Sequence, residues 1–201
     1  MKNFRNNSSA FLLIVAFLIS FSFVDHSRPL YNDFNYSGTS TDTVKEPKMV
    51  VEEITVGPMI VIAIRDTAAT MVDIGPKLGK SYGEIGAFMG ANGLQFKSQP
   101  LAWYHTEQAP YVLEAGIPVD KKPANGGQGR ITVKEIGQSK AVVVHFWGPY
   151  ELTPKAYDKI RDWLKKNNKK AQGPPFDVYI TDPTTVSDPY QVQTDIVQIY
   201  Q

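Results

Sequence analysis

A repeat constrains this chain more than any other feature. Ser98 to Thr106 reads SQPLAWYHT and Gly173 to Thr181 reads GPPFDVYIT; the two align without a gap at an offset of 75 and share the second proline, the tyrosine and the threonine. Upstream of each lies a helical pattern, and upstream of that an apolar strand, MIVIAIR at Met59 to Arg65 and KAVVVHFW at Lys140 to Trp147. Another strand-like run precedes each of these, VVEEITV and RITVKEI, and a closing strand follows each nonapeptide, VLEAGIPV and VQTDIVQIY. The order strand, strand, helix, strand, strand is written twice, with PANGGQG at Pro123 to Gly129 as the joint. Two copies of about 80 residues are too few for a solenoid. They predict an α+β domain of duplicated strand-helix-strand-strand modules, with a pseudo-twofold axis, an antiparallel sheet of about eight strands and two main helices.

The two helices differ in character. In the second copy Ala156, Tyr157, Ile160, Trp163 and Leu164 recur at helical spacing, Thr153 is placed to cap, Pro154 suits the first turn, and Lys165 and Lys166 complement the C-terminal dipole. In the first copy Leu78, Tyr82, Ile85 and Met89 form the apolar stripe, and Gly79, Gly83, Gly86 and Gly90 form a second stripe beside it. Each of these glycines costs a helix about 1 kcal/mol, so the stripe suggests close packing against that face or a local irregularity.

Before the repeats the composition changes. Lys2 and Arg5 precede an uncharged stretch from Asn6 to Val24 with the apolar centre AFLLIVAFLISFSFV, the pattern of a signal peptide or of a short membrane anchor. Asp25 to Lys48 is rich in Ser, Thr, Asp, Asn and Pro without apolar periodicity, as in a flexible linker spanning roughly 25 to 30 Å. The expected division is therefore 1–24 signal or anchor, 25–48 linker and 49–201 globular domain, with repeats at about 49–122 and 130–201. The expected location is outside the cytosol, exported or held at the membrane by residues 6–24.

Charge and composition exclude several functions. Lys and Arg number 21 against 20 Asp and Glu, and removing Lys2 and Arg5 leaves 19 against 20, so there is no basic field for nucleic acid. The run Lys165, Lys166, Lys169 and Lys170 sits at a helix end, where lysines serve the dipole. With no cysteine there is no disulfide, thiolate metal site or cysteine nucleophile. No metal-ligand spacing or phosphate-binding glycine loop occurs, and no cofactor is expected.

The run VVVHFWGPYELTPKAYDKIRDWLKKNN, followed by GPPFDVYITDP and TDIVQIY, resembles the GyrI-like small-molecule-binding domain, the effector-binding domain of AraC-type and multidrug-responsive transcription activators. That family shows a strand running into G-P-Y, a helix carrying A-Y-x-x-I/L-x-x-W, a G-P-P-x-E-x-Y strand, a D-P turn and a last strand with an acid after threonine. The blocks stand here in the same order, and with the first repeat the resemblance covers residues 49 to 201. Asp177 replaces the usual Glu, and Asp195 replaces another; the final proline is missing. The resemblance implies a ligand cleft between the modules and either ligand sensing or, in a few relatives, hydrolysis of reactive small molecules. The remaining residues leave no room for a helix-turn-helix, so a stand-alone domain is expected.

Alternation places Asp177, Tyr179 and Thr181 on one strand face and Phe176, Val178 and Ile180 on the core face. In the first copy Ala102, Tyr104 and Thr106 match the former, and Leu101, Trp103 and His105 the latter. Tyr104 and Tyr179 should line the cleft from its two halves, and Asp177, matched only by Ala102, is an acid the fold does not demand. A carboxylate between aromatic faces favours a cation. Glu114 and Asp195 also match across the repeat and read as structural or rim residues that could touch ligand. Trp147 and Tyr150, beside the Gly148–Pro149 turn, are candidate aromatic walls by the resemblance. The expected function is capture of an amphipathic aromatic, possibly cationic ligand. The alternatives are a hydrolase using Asp177 as general acid or base with Tyr179 or Tyr104, and a haem-binding protein served by His145 or His105.

Overall fold

In the computed structural model, which describes residues 45–201, the first strand of each repeat leaves its own half of the molecule. The elements are β1 Lys48–Val56, β2 Met59–Ala68, α1 Ile74–Ala91, β3 Leu101–Tyr104, β4 Tyr111–Val119, β5 Ile131–Ile136, β6 Ser139–Trp147, α2 Pro154–Lys166, β7 Phe176–Tyr179 and β8 Gln193–Ile199. Among the described residues the eight strands form one antiparallel sheet in the order β1-β6-β8-β7-β3-β4-β2-β5. The expected strand-strand-helix-strand-strand order holds along the chain. In space, however, β1 pairs with β6 of the second repeat, from Lys48 opposite Trp147 to Val56 opposite Ser139, and β5 pairs with β2 of the first.

This exchange forces the sheet to curl. β1 is one edge of the strand order and β2 lies one strand in from the other edge, yet only Gly57 and Pro58 separate them. Three Cα steps reach about 11 Å at most, so the ends of the sheet must approach each other there. The return crossing, from β5 to β6 through Gly137, occupies the same place. Gly57 has φ +73°, and a Cβ on it would lie 2.5 Å from the carbonyl oxygen of Gly137. Only glycine fits this crossing, for reasons of both dihedral angle and space.

α1 packs over β2 and β4, and α2 over β6 and β8, both on one face of the sheet. The stripe Leu78, Tyr82, Ile85 and Met89 is buried beneath α1. At about 1.5 to 3 kcal/mol for each large apolar side chain, that burial outweighs the cost of the glycines. Gly83 and Gly90 border open space, with nothing within 4 Å of a Cβ on either, so close packing does not explain them. Thr153 stands at the N-cap of α2 as expected, but its hydroxyl makes no cap bond and donates instead to the Tyr150 carbonyl at 2.7 Å, at the end of the 3-10 turn Tyr150–Leu152. A second apolar cluster fills the opposite sheet face, built from Val61, Ala63, Leu101, Trp103, Val143 and Phe176. Both faces of the central strands are therefore interior.

The gapless repeat extends well beyond the nonapeptides. At the offset of 75, α1 and α2 end together at Ala91 and Lys166, and the next residues, Asn92 and Asn167, donate side-chain hydrogen bonds to the Phe88 and Trp163 carbonyls at 2.9 and 2.8 Å. Gly93 and Asn168 follow with φ of 60° and 52°. Among the described residues no helix is long and apolar enough to cross a membrane, and the expected signal or anchor at 6–24 lies outside them.

Candidate functional site

The short strands β3 and β7 meet between the two helices. Leu101 stands opposite Val178, Ala102 opposite Asp177 and Trp103 opposite Phe176. Because the repeat maps 101, 102 and 103 onto 176, 177 and 178, the pseudo-twofold axis passes between Ala102 and Asp177. The backbone obeys it: Tyr104 N–H donates to the Pro175 carbonyl and Tyr179 N–H to that of Pro100, at 3.4 and 3.1 Å.

Side chains on the helix-covered face repeat the same relation. The hydroxyls of Tyr104 and Tyr179 are 3.0 Å apart. Tyr82 and Tyr157, also 75 positions apart, reach the seam from α1 and α2; Tyr82 donates to the Leu101 carbonyl at 2.6 Å and Tyr157 to Asp177 Oδ1 at 2.6 Å. Tyr150 sets its ring edge-on to Tyr179 at 6.2 Å, with its hydroxyl beside Thr194. Asp177, only 4% exposed, is thus an acid among five tyrosines at a position where its symmetry mate is alanine.

Burial decides the electrostatics of this cluster. It pushes Asp177 up to about 7, although the hydrogen bond from Tyr157 pulls the other way. Burial also raises all five tyrosines, and the charge of Asp177 adds to each, so they remain neutral donors. A carboxyl raised toward neutrality and walled by aromatic rings can attract a cation or exchange a proton.

The remaining sequence candidates lie on the other sheet face. Glu114 accepts from Lys134 at 2.9 Å, His105 at 3.0 Å and Arg65 at 3.3 Å, and Lys134 also stands 4.0 Å from the centre of the Trp103 ring. Burial alone would raise Glu114, but these partners hold it below its ordinary value. Its repeat counterpart Asp195 pairs with His145 Nδ1 at 2.9 Å and accepts from Gln193 at 2.9 Å. Trp147 lies 6.3 Å from the His145 ring and carries Lys48 on its face. Of the seven residues picked from sequence, Asp177, Tyr104, Tyr179 and Tyr150 converge, whereas Glu114, Asp195 and Trp147 join strands on the far side. Tyr82 and Tyr157 were missed as site residues, although the offset that pairs Tyr104 with Tyr179 also pairs them.

The two histidines expected as haem ligands are ion-paired on the far face of the sheet. His145 spends Nδ1 on Asp195 and sets Nε2 3.5 Å from Glu52, and His105 Nε2 is engaged by Glu114. Neither faces the tyrosine cluster. Among the described residues there is no group of three or more acids and histidines that could hold a metal ion.

A duplicated α+β domain with an acidic aromatic site at its internal twofold is a small-molecule-binding architecture. The chain belongs to the GyrI-like small molecule binding domain family, whose model matches residues 49–197. No curated protein matches it. Among solved structures, the EcmrR C-terminal domain is similar, with 21% identity, a TM-score of 0.61 and coverage of 77% of this chain and 98% of that one. Against EcmrR in its complex with DNA the identity is 20% and the TM-score 0.61, and the match covers 80% of this chain but 59% of that longer chain. A hydrolase from Listeria innocua is similar at 12% identity and TM-score 0.56, over 80% of this chain and 96% of that one. So is SAV2435 bound to tetraphenylphosphonium, at 12% identity and TM-score 0.51, over 77% and 94%.

Proposed function

We propose that this protein captures a lipophilic aromatic cation at the β3–β7 seam, with Asp177 as counter-ion and Tyr82, Tyr104, Tyr150, Tyr157 and Tyr179 as walls. The observation that carries this is the broken symmetry: two pairs of tyrosines obey the twofold, and the acid between them does not. A structural acid would have no need of four tyrosine rings in pairs around it, whereas a delocalised cation gains from both charge and ring faces. The tetraphenylphosphonium held by SAV2435, which shares the fold, is a ligand of this chemistry. Tyr157 covers Asp177 Oδ1 and the residue is only 4% exposed, so a cation of this size reaches the carboxylate only if a wall of the site moves. Calorimetric titration of tetraphenylphosphonium into wild type and Asp177→Asn tests the proposal; equal affinities would end it.

A second reading is hydrolysis. Asp177, pushed up to about 7 beside tyrosine hydroxyls, has the proton affinity of a general base for water at neutral pH. The similarity to the Listeria innocua hydrolase supports this at the level of fold. Turnover of a reactive ester or epoxide that disappears in Asp177→Asn would favour it over binding alone.

Lys2, Arg5 and the apolar run that follows support placement outside the cytosol, by export or by tethering. Fractionation of the tagged full chain tests this. Recovery of the uncleaved protein in the soluble cytosolic fraction would exclude it.

A further inference from the structure

The residues that lead into β1 touch the two segments that flank the second half of the site, the turn before Tyr150 and the first turn of α2. Lys45 pairs with Asp188 at 2.9 Å and lies 4.4 Å from the centre of the Tyr190 ring. Glu46 accepts from Lys155, in the first turn of α2 and two positions before Tyr157. Pro47 is buried against Gly148, where a Cβ would come within 3.0 Å of it, and Lys48 lies 4.4 Å from the centre of the Trp147 ring. Gly148 and Pro149 lead directly to Tyr150. The chain from Lys45 to Lys48 thus crosses the outside of the turn carrying Tyr150 and fastens the helix carrying Tyr157.

The first half holds its helix in the corresponding way. Arg130, immediately before β5, binds Glu84 at 2.9 Å and Ser81 at 3.2 Å on α1, and Asp66 at 2.9 Å on β2. There the tie belongs to the joint between repeats and is internal to the domain. In the second half it belongs to the segment that continues into residues 1–44. The two straps differ, therefore, in what can pull on them.

We propose that Lys45–Lys48 is a strap that keeps the α2 wall closed over Asp177, so that occupation of the site and release of the strap are thermodynamically linked. The proposal rests on the ligand reading above. Tyr157 cannot leave Asp177 without movement of its helix turn or of its own side chain, and Lys155 fixes that turn to Glu46. If only the opened form admits a ligand, the apparent affinity is reduced by the fraction open, and loosening the strap raises it. Linkage is reciprocal: ligand favours a released strap.

The test uses the full chain, wild type and the double variant Lys45→Ala with Glu46→Ala. Amide hydrogen exchange without ligand should accelerate across residues 150–160 in the variant while residues 74–91 stay unchanged. Unchanged exchange at 150–160, or equal acceleration in both helices, overturns the strap whatever the ligand is. The charge-exchanged pair Glu46→Lys with Lys155→Glu should restore slow exchange in the Lys45 wild-type background. With tetraphenylphosphonium as probe, the double variant should bind about two- to fivefold more tightly, the scale set by the one exposed tie that reaches α2. Equal affinity in a background where Asp177→Asn still weakens binding overturns the strap and leaves the ligand reading intact. Loss of the Asp177 dependence itself counts against the ligand reading and is read separately from exchange.

Discussion

Tyr104 and Tyr179 touch each other across the pseudo-twofold axis, hydroxyl to hydroxyl at 3.0 Å, from positions 75 apart in the chain. A residue on a twofold axis meets its own counterpart, so any chemistry placed there is duplicated by default. This seam departs from that rule at one pair, Ala102 and Asp177, and the departure puts one carboxyl on the axis. The tyrosines supply neutral rings and donors from both halves; the acid supplies direction.

Replacing Asp177 by asparagine keeps the volume and a hydrogen-bond acceptor for Tyr157 but removes the charge. Tetraphenylphosphonium has no hydrogen-bond donor and meets Asp177 by charge alone, so its affinity should fall by about 2 to 3 kcal/mol, the Coulomb energy of unit charges roughly 5 to 8 Å apart at an effective dielectric constant of about 20, or roughly thirty- to a hundredfold. A neutral aromatic of similar size should lose much less. Calorimetry with both ligands checks the contrast.

Asp177 also gives the fold a pH signature. Its folded value is raised from 3.8 to about 7, so the folded state holds a proton that the unfolded chain releases. The stabilisation from this group is complete below about 4, declines as pH rises, and is gone above about 7. Across that window stability should fall by roughly 1 kcal/mol per pH unit in wild type relative to Asp177→Asn. Glu114 and Asp66, both held below their ordinary values, act with the opposite sign, but they are common to both proteins and cancel in the difference. Urea titrations at pH 4.5, 6 and 8 measure it, and a constant difference would contradict the burial of the carboxyl.

Much of this architecture is legible before any coordinates. Alternation and helical spacing reveal every strand and both helices, and the SQPLAWYHT and GPPFDVYIT pair points to Tyr104, Tyr179 and Asp177. The exchange of β1 and β5 is not legible, because pairing across the molecule depends on the crossing at Gly57, where only glycine fits, and not on the strands' own patterns. Tyr82 and Tyr157 are hidden for another reason: each stands in an apolar helix stripe, and burial of the ring alone accounts for it. Only the hydroxyl, bonded to Leu101 or to Asp177, shows the second role. Trp147 faces away from the tyrosine cluster because it alternates with Phe146, and it is Phe146 that packs beneath α2.

The crossing makes its own prediction. Gly57→Ala would have to hold φ +73° with its Cβ 2.5 Å from a backbone oxygen, and backbone cannot retreat as a side chain can. It should cost about 1 to 3 kcal/mol or more. At Gly137 a Cβ meets nothing within 4 Å, so Gly137→Ala should be close to neutral. Denaturation midpoints of the two variants, otherwise identical in chemistry, test the geometry.

The broken symmetry can be restored or reversed by substitution. Ala102→Asp would put a second carboxyl directly opposite Asp177, with Cβ atoms about 4.5 to 5.5 Å apart, in a site with no cation to share. Two buried acids at that distance cannot both ionise, so the variant should lose about 3 kcal/mol or more at pH 8 and less at pH 5, where both hold protons. Adding Asp177→Ala moves the single acid to the first half, where Tyr82 is the counterpart of Tyr157. That exchanged variant should recover most of the stability and part of the tetraphenylphosphonium affinity, with Tyr82 now the donor to the carboxylate. Thermal melts and titrations of the three proteins decide it: if the exchanged variant is no more stable than Ala102→Asp alone, the two halves of the seam are not equivalent and the axis does not organise the site.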